Sequence, residues 1–272
     1  MTDFEIRDKV TLLRDFLNNV GATASGVEVS VTQDADLGLR FFADQGNTEQ
    51  HSVWWQDYLV SSMSACGWST KTISGGSGQA WESITDASNA TGVNELRTNT
   101  SSSGLSAILS YNNALIFDNQ TAYTFEARVN LSALSDEDDP YVATFGFSRK
   151  LDAAYGDASE TDYAMFVYDQ TNDGNLWACH TAKDGTETKT RTSSAVTGDN
   201  TTFVVLKIEV PADGSSVTYS IGGSVVATHT SNIPSTGDRL GIGLRINKLG
   251  GTTNREFRID WHRFTTTRTA AR

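Results

Sequence analysis

Cysteine and proline are scarce in this chain, at 2 and 3 of 272 residues. Two cysteines, Cys66 and Cys179, allow at most one bridge, so a disulfide scaffold is excluded, and two reduced thiols are the expected state. Neither lies in a Cys-x-x-Cys or Cys/His spacing, which argues against structural zinc. Positive charge is also short: 21 Lys and Arg face 33 Asp and Glu, a net charge of −12. That balance disfavours nucleic acid or an anionic membrane as partner. Long apolar runs are missing too. The longest wholly apolar stretch runs from Tyr163 to Tyr168, far below the ~20 residues a spanning helix needs. The opening Met1-Thr2-Asp3-Phe4-Glu5-Ile6-Arg7-Asp8-Lys9 has no apolar core of a secretion signal.

What is present is hydroxyl and aromatic. The chain holds 34 Thr, 28 Ser and 23 Gly, with 10% aromatic residues. Such a composition suits short strands joined by tight turns.

The first twenty residues differ from the rest. Ile6, Val10, Leu13, Leu17 and Val20 recur at steps of 4, 3, 4 and 3, the seam of a heptad helix. Thr2 and Glu5 form a capping box, and Gly21 suits the left-handed stop. About two and a half heptads are too short for a coiled coil alone in water. The segment either docks on its own domain or joins protomers, and a homo-oligomer, a trimer for preference, follows from the second reading.

From Gly26 to Phe42 the period changes to two. Val27, Val29 and Val31, then Leu37, Leu39 and Phe41, flank the Asp34-Ala35-Asp36 turn as a β-hairpin. Residues 43–48 read as a linker, which sets an attachment or oligomerisation unit at 1–49, a second unit at 50–266 and a polar tail at 267–272.

Strand signals then recur to the end. Tyr123, Phe125, Ala127, Val129 and Leu131 alternate with Thr124, Glu126, Arg128 and Asn130, as in an antiparallel sheet with one wet face. Val217, Tyr219 and Ile221 turn at Gly222-Gly223 into a strand from Ser224 to Thr228. Asp213-Gly214 follows a strand from Phe203 to Val210. In the last strand, Glu256 to Phe264, alternation places Phe257, Ile259 and Trp261 inward and Arg258, Asp260 and His262 outward. The expected fold is all-β, a two-sheet antiparallel jelly-roll sandwich preceded by a short N-terminal helix and the hairpin.

Certain residues carry a family resemblance. They are Asp57-Tyr58-Leu59, Gly67-Trp68, the Gly75-Gly76-Ser77-Gly78 stretch and Gly92-Val93-Asn94-Glu95-Leu96-Arg97-Thr98 with Ser103-Gly104. Further on come Tyr123 to Val129, Phe145-Gly146-Phe147, Tyr219 to Gly223, Asn232-Ile233-Pro234 and Ile259 to Phe264. Over residues 50 to 266 the chain resembles concanavalin A-like (LamG-like) jelly rolls, in particular those of tailed-phage virion proteins. The resemblance implies a body used for display, decoration or adhesion on a particle, assembled in the host cytoplasm with other virion proteins of capsid or tail.

Chemistry must be read from sites, not from fold. Related jelly-roll glucanases place two acids on one strand as Glu-x-Asp-x-x-Glu. Here Glu160-Thr161-Asp162 opens that pattern, but Met165 stands at its last position. Glu126, beside Arg128, reads as a cross-strand ion pair. Calcium has two candidate turns, Asp136-Glu137-Asp138-Asp139 and Asp169 to Asn175 with Asp173, the second without a distal bidentate Glu. Gly75-Gly76-Ser77-Gly78-Gln79 misses a nucleophile elbow by one position. Of the histidines, His51 and His262 are expected at the surface, and His180 and His229 lie in strands. No triad is legible.

Among the tryptophans Trp54, Trp55, Trp68, Trp81, Trp177 and Trp261, the adjacent Trp54 and Trp55 must face opposite sides of a strand, so one is a glycan-contact candidate. No catalytic residue and no cofactor is assigned. The function expected is a non-enzymatic structural protein of a bacteriophage particle, a capsid decoration or head fibre. A glycan-binding adhesin that meets a host surface glycan is the alternative, and a glycoside hydrolase a lesser one.

Overall fold

The computed structural model describes residues 27–34, 38–45, 49–57, 69–73, 80–84, 93–98, 100, 104–109, 115–117, 120–151, 153–199 and 201–269. The heptad segment, Trp68, Cys66 and the 75–78 glycines lie outside them.

Eighteen strands follow one another among these residues. In chain order they are β1 Val27–Asp34, β2 Gly38–Gln45, β3 Glu49–Asp57, β4 Ser69–Ile73, β5 Ala80–Ile84 and β6 Val93–Arg97. Next come β7 Gly104–Leu109, β8 Leu115–Ile116, β9 Thr121–Leu131, β10 Tyr141–Ser148, β11 Tyr163–Asp169 and β12 Leu176–Lys183. The last are β13 Thr186–Ala195, β14 Val204–Val210, β15 Val217–Ile221, β16 Ser224–His229, β17 Arg239–Lys248 and β18 Glu256–Arg268. A single helical turn, Gln170–Asp173, breaks the series where an acidic bend was expected. No helix among the described residues is long and apolar enough to cross a membrane.

The strands form two antiparallel sheets. One has the order β1-β2-β3-β18-β9-β14-β15-β16, with β6 on β18 and β5 on β6. The other has the order β13-β12-β11-β10-β17-β7-β4, with β8 on β17. The expected hairpin is present as β1 and β2, and β2 pairs with β3, which in turn pairs with β18. Of the stretch read as a linker, residues 43–45 belong to β2 and residues 46–48 lie outside the described residues.

The core lies between the sheets and is largely aromatic. Phe125 of β9 stacks on Phe145 of β10 with centroids 4.3 Å apart, and Phe166 meets Tyr219 edge-on at 5.2 Å. Leu240, Ile242, Leu244 and Ile246 of β17 fill the space beside them. Trp177 and Cys179 are also in this core, and burial pushes the Cys179 thiol well up. The alternation along β9 holds throughout, with Tyr123, Phe125, Ala127, Val129 and Leu131 all inward. Gly222 and Gly223, at φ +57° and +85°, make the expected two-residue turn between β15 and β16.

The last strand departs from expectation. The β18–β9 register shifts between Ile259 and Trp261, so Asp260 is an extra residue in the ladder. This bulge reverses the phase. Phe257 and Ile259 point into the core as predicted, but the next inward residues are His262 and Phe264, paired with Ala127 and Phe125. Trp261 pairs with Arg128 instead and stands half-buried on the outer face. The expected positions of Trp261 and His262 are thus exchanged, because alternation holds only while the ladder is regular.

Candidate functional site

In the eight-stranded sheet, β10, β11, β12 and β17 are buried on both faces, although only one meets the other sheet. The far face carries Val142, Met165 and Val167, a second apolar cluster against which Tyr155 and Tyr163 pack. Tyr155 comes from the β10–β11 loop, described over residues 149–151 and 153–162.

Arg245 anchors that loop. It lies on β17 opposite Thr144 and is fully buried. Its guanidinium donates to the carbonyls of Lys150 (3.3 Å) and Ala153 (2.9 Å) and to both carboxylate oxygens of Glu160 (3.0 and 3.1 Å). It also lies 5.6 Å from the centroid of the Tyr155 ring. Glu160 Oε1 accepts a further bond from Ser148 Oγ at 2.6 Å. A buried ion pair of this kind survives only when nearly every polar atom is satisfied, and here the loop backbone supplies the missing acceptors.

Beside it, the Tyr155 hydroxyl is 3.1 Å from His180 Nδ1, which is also hydrogen-bonded to Glu187. Glu187 accepts from the Tyr163 hydroxyl at 2.8 Å as well. Burial alone would raise the Glu187 carboxyl, but the hydrogen bond and charge of His180, with help from Tyr163 and Lys189, hold it below its ordinary value. Burial, then the carboxylates of Glu187 and Glu160, pushes the Tyr155 phenol well up.

The opening of the glucanase-like pattern therefore has a structural occupation. Glu160 is locked on Arg245. Asp162 accepts from Thr161 Oγ1 (2.6 Å), the Asp184 amide (3.1 Å) and Arg149 (3.5 Å). Met165, where the second acid would stand, is buried beneath the loop. Two other carboxylates do meet, on the outer face of the ten-stranded sheet. Glu95 and Glu256 are joined through Arg97 and Arg258, and burial, then Glu256, pushes the Glu95 carboxyl up to about 7. Both carboxylates are thus engaged by the same two arginines.

The calcium candidates are dispersed. Asp136 accepts from the Asp138 and Asp139 amides and pairs with Arg255 at 2.8 Å. Asp139 accepts from the Thr253 amide at 2.8 Å, which with the nearby Arg255 and Lys248 lowers its pKa. Asp138 is exposed. Asp169 caps the helical turn through the Thr171 and Asn172 amides, and Asp173 pairs with Lys189 at 2.8 Å. Among the described residues no three His, Cys, Asp or Glu side chains are grouped to hold a metal ion.

The remaining candidates are placed as follows. Glu126 makes the expected cross-strand ion pair, with Arg263 of β18 at 2.7 Å. His229 is buried between Thr181 and Thr190 (2.9 Å each), and burial lowers its pKa. Register sets His51 opposite Thr267, Trp54 opposite Phe264 and Trp55 opposite Arg263. Trp81 lies opposite Leu96. The seam residues Ile6, Val10, Leu13, Leu17 and Val20 lie outside the described residues. Arg245 and Tyr155, which hold the covered face together, escaped the sequence reading. One signal was available: Arg245 alternates with Leu240, Ile242, Leu244 and Ile246, a charge in the middle of an apolar strand.

A family model described as SO2946-like, C-terminal domain, matches residues 89–260. The chain belongs to this SO2946-like family. Among solved structures, the protein of unknown function SO2946 from Shewanella oneidensis MR-1 superposes with a TM-score of 0.55 at 15% identity, over 83% of this chain and 90% of that one. The carbohydrate recognition domain of Emp47p gives 0.51 at 11% identity, over 89% and 98%. The endo-1,3-beta-glucanase from Streptomyces sioyaensis gives 0.51 at 14% identity, over 82% and 98%. No curated protein matches in sequence. At these identities the likeness is one of fold, the concanavalin A-like jelly roll of lectins and glucanases.

Proposed function

We propose that this family member is a non-enzymatic structural protein of a bacteriophage particle, its jelly roll exposed and its N-terminal segment the attachment. The observation that carries the reading is the closure of the far face by the chain's own β10–β11 loop, pinned by the buried Arg245–Glu160 pair. A hydrolase of this fold needs two opposed acids with space between them, and the matching positions hold a neutralised Glu and a Met. The sequence resemblance to virion jelly rolls supports the setting. A polar, ion-paired outer sheet supports a role in presentation.

The test has two arms. Antibody against the protein should label purified particles from the genome that encodes it, in the head for the decoration or fibre role. The full-length protein should release no reducing ends from laminarin or lichenan. Absence from particles, or release that Glu160→Gln abolishes, overturns the proposal.

A further inference from the structure

We propose that the outer face of the ten-stranded sheet around Trp261 is a saccharide-binding platform, with the Trp261 indole as stacking surface and the Arg128–Asp260 pair as its polar partner. This goes beyond the structural role and uses the opposite side of the molecule from the covered far face.

The argument begins with the bulge. Regular alternation would bury the Trp261 indole and expose the His262 imidazole. The extra residue Asp260 does the reverse. An indole is among the most favourable groups to bury, and an imidazole in the core must stay neutral. Burial pushes the His262 ring down to about 3. The arrangement is therefore unfavourable for stability on both counts. Bulges that re-aim side chains are concentrated beside functional sites, and local rules are broken most often where function requires it.

The surroundings suit one kind of ligand. Asp260 pairs with Arg128 Nη1, and the Arg128 guanidinium lies 4.7 Å from the centroid of the Phe203 ring. The next row holds the Arg263–Glu126 pair. The Arg128 and Arg263 side chains are 42% and 34% exposed, so their heads can be reached from solvent. On β3, Asp57 is opposite Trp261 and Trp55 opposite Arg263 in the register. A pyranose has an apolar C–H face and a rim of hydroxyls that both donate and accept. An indole takes the first, and a guanidinium beside a carboxylate takes the second.

Other partners fit less well. β18 is paired on both sides, so it cannot add a peptide strand. Val225 and Leu249 are the exposed large apolar side chains among the described residues, too little for the apolar centre of a protein interface. The net charge of −12 opposes a polyanion.

The experiment uses the full-length protein on an array of immobilised laminarin, cellohexaose, chitohexaose, mannan and bacterial O-antigen polysaccharides. Any glycan retained is then titrated calorimetrically. Saturable binding to at least one is expected, weakened at least tenfold by Trp261→Ala and by Arg128→Ala and unchanged by Thr218→Ala elsewhere on the same face. Melting temperatures of all variants are measured alongside. If Trp261→Ala does not fold, Arg128→Ala and Asp260→Asn carry the test. No glycan retained, or binding that survives these substitutions, overturns the proposal.

Discussion

Replacing Glu160 by Gln tests the account of the covered face most directly. The side chain is buried and accepts two bonds from Arg245 and one from Ser148. Gln keeps the shape but removes the charge and turns an amide N–H₂ toward a guanidinium. At least one charge-assisted bond is lost, about 1.5–3 kcal/mol, and Arg245 keeps a buried charge with no counter-ion. Breaking a buried pair from one side typically costs about 3–5 kcal/mol. Because the Lys150 and Ala153 carbonyls still accept from Arg245, the lower end is expected, about 3 kcal/mol. The double variant Glu160→Leu/Arg245→Met removes both charges and should recover to within about 1–2 kcal/mol of the wild type. Urea denaturation followed by intrinsic fluorescence measures all three, with limited proteolysis at residues 149–162 as a local readout. A loss below about 1 kcal/mol for Glu160→Gln, or a double variant no better than the single, refutes the buried-anchor reasoning.

Other expectations follow from the same structure. His262 titrates at about 3 in the fold against 6.5 when unfolded, so its contribution is complete above pH 6.5 and is lost as pH falls toward 3. The span corresponds to at most about 5 kcal/mol. Replacing it by Phe should make the fall in melting temperature between pH 6.5 and 4 shallower, and an unchanged slope contradicts the assignment. Gly251 adopts φ +79°, and a Cβ there would fall 2.0 Å from Asp139 Oδ1, so Gly251→Ala should cost about 1–3 kcal/mol by thermal melting. If the heptad seam joins protomers, Leu13→Asp/Leu17→Asp in the full chain should reduce the mass seen by light scattering from trimer to monomer. A monomeric wild type rules that association out.

Several elements were legible without coordinates because the signals that set them are local. Side-chain alternation along Tyr123 to Leu131 marks β9, and Gly222-Gly223 marks the β15–β16 turn, since both depend on residues a few positions apart. The same locality explains what was missed. A bulge belongs to the ladder between two strands, so nothing within Glu256 to Phe264 announces that Asp260 will be skipped. Arg245 and Glu160 stand 85 residues apart and meet only when β17 and the β10–β11 loop are brought together. Likewise Asp136 and Asp139 read as a cation turn until Arg255, more than a hundred residues on, is seen against them.

By itself the sequence determined strand content, turn chemistry, the acidic surface and the absence of a second acid at Met165, because composition and period are properties of the chain. Tertiary structure alone decided which face each phase points to and which charges are neutralised. Pairing register and burial are set between strands, and a slip of one residue exchanges inside for outside.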